Sequence, residues 1–78
     1  MEVTIKFFGL ALKAAPGVDP DRGLAVELPQ GARITDLLKM FGLTVHRNIV
    51  TVQGRPARWN TVLEQGQVIQ VVGPPGGG

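Results

Sequence analysis

Cysteine is absent from all 78 residues, and so is serine. The first absence removes disulfide staples, thiolate metal sites and any cysteine nucleophile or persulfide. The second rules out a serine triad. A single histidine, His46, is too little for a histidine-cluster metal centre. No run approaches the ~20 apolar residues that cross a bilayer. The stretch Phe7-Phe8-Gly9-Leu10-Ala11-Leu12 is short, Lys13 interrupts it, and Glu2 stands where a secretory leader carries positive charge. A soluble cytoplasmic protein is the expectation. With 18% charged and 44% hydrophobic residues the composition is globular. At this length it makes one small domain, which hides only about 60% of its unfolded surface.

Charge is nearly balanced at +2. The excess falls in the second half, where Arg47, Arg55 and Arg58 face only Glu64. Three dispersed arginines read as a solvated face or a weak anionic-partner patch, without the dense basic clusters and interleaved aromatics of a nucleic-acid binder. Nucleic acid is therefore not an expected partner, and neither is a membrane.

What is present in excess is glycine, at 11 residues, four of them in the terminal run Gly73-Pro74-Pro75-Gly76-Gly77-Gly78. Before that run the chain alternates between recognisable elements. Val3, Ile5 and Phe7 point one way and Glu2, Thr4, Lys6 and Phe8 the other, as in a half-buried strand over 2–8. Leu10 to Ala15 reads as a helical turn or two, ended by Pro16-Gly17. Leu24, Val26 and Leu28 mark a second strand. Ile34, Leu37, Leu38 and Phe41 lie at i, i+3, i+4 and i+7, one apolar helical stripe closed by Gly42, with Leu43 able to pack back on the last turn. Asn48 to Gln53 reads as a third strand, Arg55 to Arg58 as a short edge strand because of Pro56, and 68–72 as the last.

A single helical stripe needs a sheet to cover. A hairpin, a right-handed crossover helix and returning strands place the first and last strands side by side in parallel. This is an α+β fold, the ubiquitin-like β-grasp: a mixed four- to five-stranded sheet with one main helix on one face. The expected domain spans 1–72, with a flexible Gly/Pro tail over 73–78. The expected core is Val3, Ile5, Leu24, Val26, Leu28, Ile34, Leu37, Leu38, Phe41, Val50, Val52, Leu63, Ile69 and Val71.

Side chains offer little chemistry. His46 reads as a loop or surface residue, Asp19 and Asp21 as turn formers, Trp59 as a partly buried anchor, and Gly31, Gly54 and Gly66 as isolated turn glycines. No catalytic residue and no metal ligand is expected, and no bound cofactor. The terminus is the exception. It leaves from what should be a central strand, and Pro74 and Pro75 bias its base toward an extended conformation. Its six residues reach roughly 20 Å at about 3.3 Å each. The last glycines, lacking Cβ, can thread a channel too narrow for any other residue. Such a tail presents a carboxylate for insertion into a partner's active site. Beside it, alternation groups Phe8, Val68 and Val72 as either an exposed docking patch or a minor core beneath the loop that follows the first strand.

Taken in order, Lys6-Phe7-Phe8, Leu28-Pro29-Gln30-Gly31-Ala32, Asp36-Leu37-Leu38, Val52-Gln53-Gly54-Arg55-Pro56, Leu63-Glu64-Gln65-Gly66-Gln67-Val68 and the terminal Gly77-Gly78 resemble the small sulfur-carrier proteins of the MoaD/ThiS type across the whole chain. The double phenylalanine, the Leu10–Ala15 insert and Pro74-Pro75 bring it closer to the small subunit of molybdopterin synthase. Gln65-Gly66-Gln67 stands where that family has Asp-Gly-Asp, and Val72 where it usually has an aromatic. The resemblance implies a carrier rather than an enzyme. An E1-like activating enzyme would use ATP to adenylate the Gly78 carboxylate, and a sulfur donor would then convert it to a thiocarboxylate. Gly77, Gly76, Pro75 and Pro74 would give access. The large subunit of molybdopterin synthase or a thiazole synthase would be a further partner. Thiamine or tRNA-thiolation sulfur transfer, a ubiquitin-like protein modifier, and a plain β-grasp binding module remain alternatives.

Overall fold

In the computed structural model, which describes residues 1–75, strands and helix follow in the order β1 (Glu2–Phe8), a 3-10 helix (Gly9–Ala14), β2 (Leu24–Glu27), α1 (Ile34–Lys39), β3 (Ile49–Val52), β4 (Arg55–Pro56) and β5 (Val68–Val72). The strands form one sheet in the order β2-β1-β5-β3-β4. Only β1 and β5 run parallel, in the register Thr4↔Val68 through Phe8↔Val72. The other pairs are antiparallel. The fold is the ubiquitin-like β-grasp that the order of elements implied. No helix among the described residues is long and apolar enough to cross a membrane.

Alternation decides which sheet face is covered. Val3, Ile5 and Phe7 of β1, Val26 of β2, Val50 of β3, and Ile69 and Val71 of β5 share a core with Ile34, Leu37 and Leu38 of α1. Phe7 meets Phe41 edge-to-face, with ring centroids 5.1 Å apart. The core departs from expectation at its margins. Leu24 is 36% exposed, because it pairs with Ile5 at the end of an edge strand. Phe41 and Val52 are half-buried against the core rather than inside it. Phe7, Ala11, Ala15 and Ala32 are buried in addition.

The ends of α1 are fixed by backbone rather than by a side-chain N-cap. The Ile34 and Thr35 amides donate to the carbonyls of Thr61 and Trp59, each at 3.0 Å. The Asp36 carboxylate accepts from the Arg33 amide at 2.8 Å. Trp59 thus serves the helix through its carbonyl, while the residue is 57% exposed rather than the expected partly buried anchor. The helix is shorter than its apolar stripe. Met40 and Phe41 tighten to i−3 bonds, and the chain leaves through a Schellman motif in which Leu43 donates to Leu38 and Gly42 to Lys39.

Two tight connections hold the sheet. Gln53 and Gly54, at φ 52° and 78°, make the two-residue turn between β3 and β4, whose left-handed pair matches the sheet twist. Gln53 then uses both its amide and its side chain on Val68: its N–H donates to the Val68 carbonyl, and its Oε1 accepts from the Val68 N–H. At the other connection, Gln65 Oε1 accepts from the Glu2 amide and Gln67 Oε1 from the Glu64 amide, both at 2.8 Å. The amide oxygens of Gln65-Gly66-Gln67 therefore accept backbone hydrogen bonds without any carboxylate.

Leu37 is fully buried, so Leu37→Ala should cost about 3 kcal/mol in chemical denaturation. Gln53→Ala removes only the acceptor for Val68, and a loss of about 1 kcal/mol, seen as a melting temperature lower by about 5 °C, is expected.

Candidate functional site

The tail base is built where β1 and β5 end together. Past Val72 the parallel ladder continues: the Gly73 amide donates to the Phe8 carbonyl at 2.9 Å, and the Leu10 amide donates to the Pro74 carbonyl at 2.8 Å. Gly73 and Pro74, expected as the base of a flexible tail, are thus bonded to the domain. Pro75 is exposed. The proposed attachment point Gly78, with Gly77 and Gly76, lies outside the described residues.

Backbone meets backbone at this point, and glycine is what allows it. Gly9 has φ +63°, and a Cβ there would lie 2.6 Å from the carbonyl oxygens of both Gly73 and Pro74. A Cβ on Gly73 would lie 2.7 Å from the Ala11 amide nitrogen and 3.2 Å from Asn48 Oδ1. The lack of a Cβ at both positions lets the tail come within hydrogen-bond reach of the 3-10 helix.

The open face of the sheet carries an apolar row at the same end. Phe8 pairs with Val72, and Val72 pairs with Ile49, so the three side chains lie in line across β1, β5 and β3. Ile49 is 67% exposed and Val72 36%; Phe8 is half-buried. Val68, grouped with Phe8 and Val72 by alternation, shares their face but pairs with Thr4, about 13 Å along β5 from Val72. Lys6, Gln70 and Thr51 lie between, with Thr51 Oγ1 bonded to Gln70 Oε1 at 3.2 Å. Ile49 is the residue that sequence reasoning missed. Extending the alternation from Val50 would have turned it outward, but only the register sets it beside Val72. Ala11 and Ala15 of the loop after β1 are buried in the main core, with Val18 packed on it.

The remaining candidates do not converge. Arg47 lines a hollow of about 200 Å³ with Leu10, Asn48 and Pro74, beside the tail base. Arg55 pairs with Val52, at the far end of β3 from Arg47, and Arg58 follows in the next loop. His46 and Trp59 border a second hollow of about 330 Å³ against α1. No polar or charged side chain is buried among the described residues, and the two hydrogen bonds that hold the tail base are main-chain bonds, Gly73 to Phe8 and Leu10 to Pro74.

Comparison with known proteins gives matches in structure. No family model matches the sequence, and no curated protein matches it either. A molybdopterin-converting factor subunit 1 from Pyrococcus furiosus is similar at TM-score 0.74 and 27% identity, over 95% of this chain and 98% of that one. SAMP1 from Haloferax volcanii is similar at TM-score 0.77 and 17% identity, over the full length of both chains. A chain in the complex of subunits 1 and 2 of the molybdopterin-converting factor from Helicobacter pylori is similar at TM-score 0.60 and 20% identity, again over the full length of both. In topology and in extent, this chain has a ubiquitin-like fold of the MoaD/ThiS type.

Proposed function

We propose that this protein is a sulfur carrier whose reactive group is the Gly78 carboxylate, acting in cofactor biosynthesis of the molybdopterin kind. The observation that carries the reading is the match, over nearly the whole of both chains, to a molybdopterin-converting factor subunit 1. The backbone supports it independently, since the Gly/Pro tail is bonded to β1 at its base and continues from the central strand β5.

The chemistry asks nothing of the side chains. A carboxylate is a poor electrophile until one oxygen becomes a good leaving group. Attack of a Gly78 carboxylate oxygen on the α-phosphorus of ATP, in an E1-like activating enzyme, would release pyrophosphate and leave an acyl-adenylate. A sulfide-level donor would then form a C–S bond at the carbonyl carbon as the C–O bond to AMP breaks. The product is a thiocarboxylate, with AMP released. ATP and sulfur donor belong to the activating enzyme; this chain supplies the acyl group and a slender approach through Gly77, Gly76 and Pro75, beyond Pro74, whose carbonyl is bonded to the Leu10 amide.

A large-subunit partner accompanies this reading, as a second subunit accompanies the related chain in the Helicobacter pylori complex. The row Phe8–Val72–Ile49 is the surface proposed for it, with Val68 outside the row. Apolar side chains exposed together on a small domain commonly mark such contacts.

Incubated with ATP, a sulfide donor and an E1-like activating enzyme, the chain should gain the mass difference of one oxygen replaced by sulfur, mapped to Gly78. Adducts on lysines of other proteins would point to a modifier instead, and an unchanged mass would sink both. Deleting Gly78 should abolish the gain while changing stability by less than about 0.5 kcal/mol. Ile49→Asp should weaken binding of a molybdopterin-synthase-type large subunit by about 10-fold or more, with the fold retained by circular dichroism. Equal affinity for the variant and the native chain would remove the row from the interface.

A further inference from the structure

The contact between the two chain ends has a geometry stricter than attachment requires. The Phe8 carbonyl and the Leu10 amide flank Gly9, and each bonds a successive residue of the tail, Gly73 and Pro74. Gly9 sits directly under those two residues, with no room for a Cβ against either carbonyl. From the other side, Gly73 has no room for a Cβ against the Ala11 amide. Pro74 adds a backbone whose φ is fixed by its ring. Two hydrogen bonds, one ring and two glycines with no room for a Cβ grip the chain at one register.

We propose that Gly9, the Leu10 amide and Gly73 form a clamp that sets where the reactive tail begins and which way it points, so that a partner's recess receives only residues 75–78. Resting on the sulfur-carrier reading of Gly78, this makes Gly9 and Gly73 positioning residues rather than catalytic ones. It also sets a dimension. A tail free from Gly73 would span about 20 Å, whereas one clamped through Pro74 projects about 13 Å, at roughly 3.3 Å per residue. An activating site matched to the clamped tail is correspondingly shallow, and its mouth meets the domain at the end where Phe8, Val72 and Ile49 lie. Each residue held in place beforehand spares an ordering penalty on the order of 10-fold in binding.

Length and clamp should therefore be coupled, which a merely structural role would not produce. The full chain would be compared as native, as Gly73→Ala, with one glycine inserted between Pro75 and Gly76, and with both changes. The readout is pyrophosphate release by an E1-like activating enzyme with ATP. Gly73→Ala should raise KM about 10-fold with little change in kcat, because the clamp acts on binding alone. The insertion should lower kcat/KM about 10-fold in the native chain but less than about 3-fold beside Gly73→Ala, since a released tail has no register to lose. An equal loss in both backgrounds would overturn the proposal.

Gly9→Asn provides a second variant, because asparagine tolerates the left-handed backbone at this position while its Cβ still meets the tail. It should reproduce Gly73→Ala. Amide exchange reads the clamp without any enzyme: Leu10 and Gly73 should be protected by about 100-fold in the native chain and lose that protection in both variants. Exchange at the coil rate at Leu10 in the native chain overturns the clamp. Protected amides in a chain that is never activated would sink the carrier reading instead, so the two failures are told apart.

Discussion

The parallel pairing of β1 with β5 is the constraint from which the other features follow. It joins the first strand to the last at the middle of the sheet, leaving β2 to flank β1 and β3 to flank β5. Because β1 and β5 both turn odd-numbered residues inward, the register stacks Ile5 on Ile69 and Phe7 on Val71, and α1 covers that face. The same register turns the even-numbered residues outward and aligns Phe8 with Val72. The ladder then continues for two more hydrogen bonds into the tail. Core, outer face and tail direction are thus one geometric decision read at three places.

The connections on either side of Val68 are closed by amide side chains rather than by charge. Gln53 completes the ladder at Val68, Gln65 holds Glu2, and Gln67 holds Glu64. A neutral amide oxygen accepts a backbone hydrogen bond without the desolvation penalty that an ionised carboxylate carries. Such turns keep their geometry across pH and salt.

Much of this was legible in the sequence where the signal is periodic and local. Alternation drew β1 and β5 to their observed limits, and the spacing of Ile34, Leu37 and Leu38 located α1 and its buried face. What escaped has physical reasons. Ala11, Ala15 and Ala32 carry too small a hydrophobic signal to announce burial, yet their size is what allows those backbone segments close to the core. Leu24 shares the parity of its buried neighbours but lies at the edge of the sheet. Ile49 beside Val72 depends on register, which no single-strand pattern contains. Trp59 works through its carbonyl, a group every residue possesses. Composition marked the tail from Gly73, whereas its bonds to Phe8 and Leu10 join opposite ends of the chain.

That last feature bears on how the protein is made. Contacts such as that between Glu2 and Gln65, 63 residues apart, close large loops and are slow to form. The grip on Gly73 and Pro74 needs the same two strands to have met. A chain still emerging from the ribosome, or one that has lost its native sheet, can carry the same tail sequence but cannot fix its base at Gly73 and Pro74. The tail base is thereby an indicator of completed folding, and any partner that reads its geometry discriminates native chains from damaged ones.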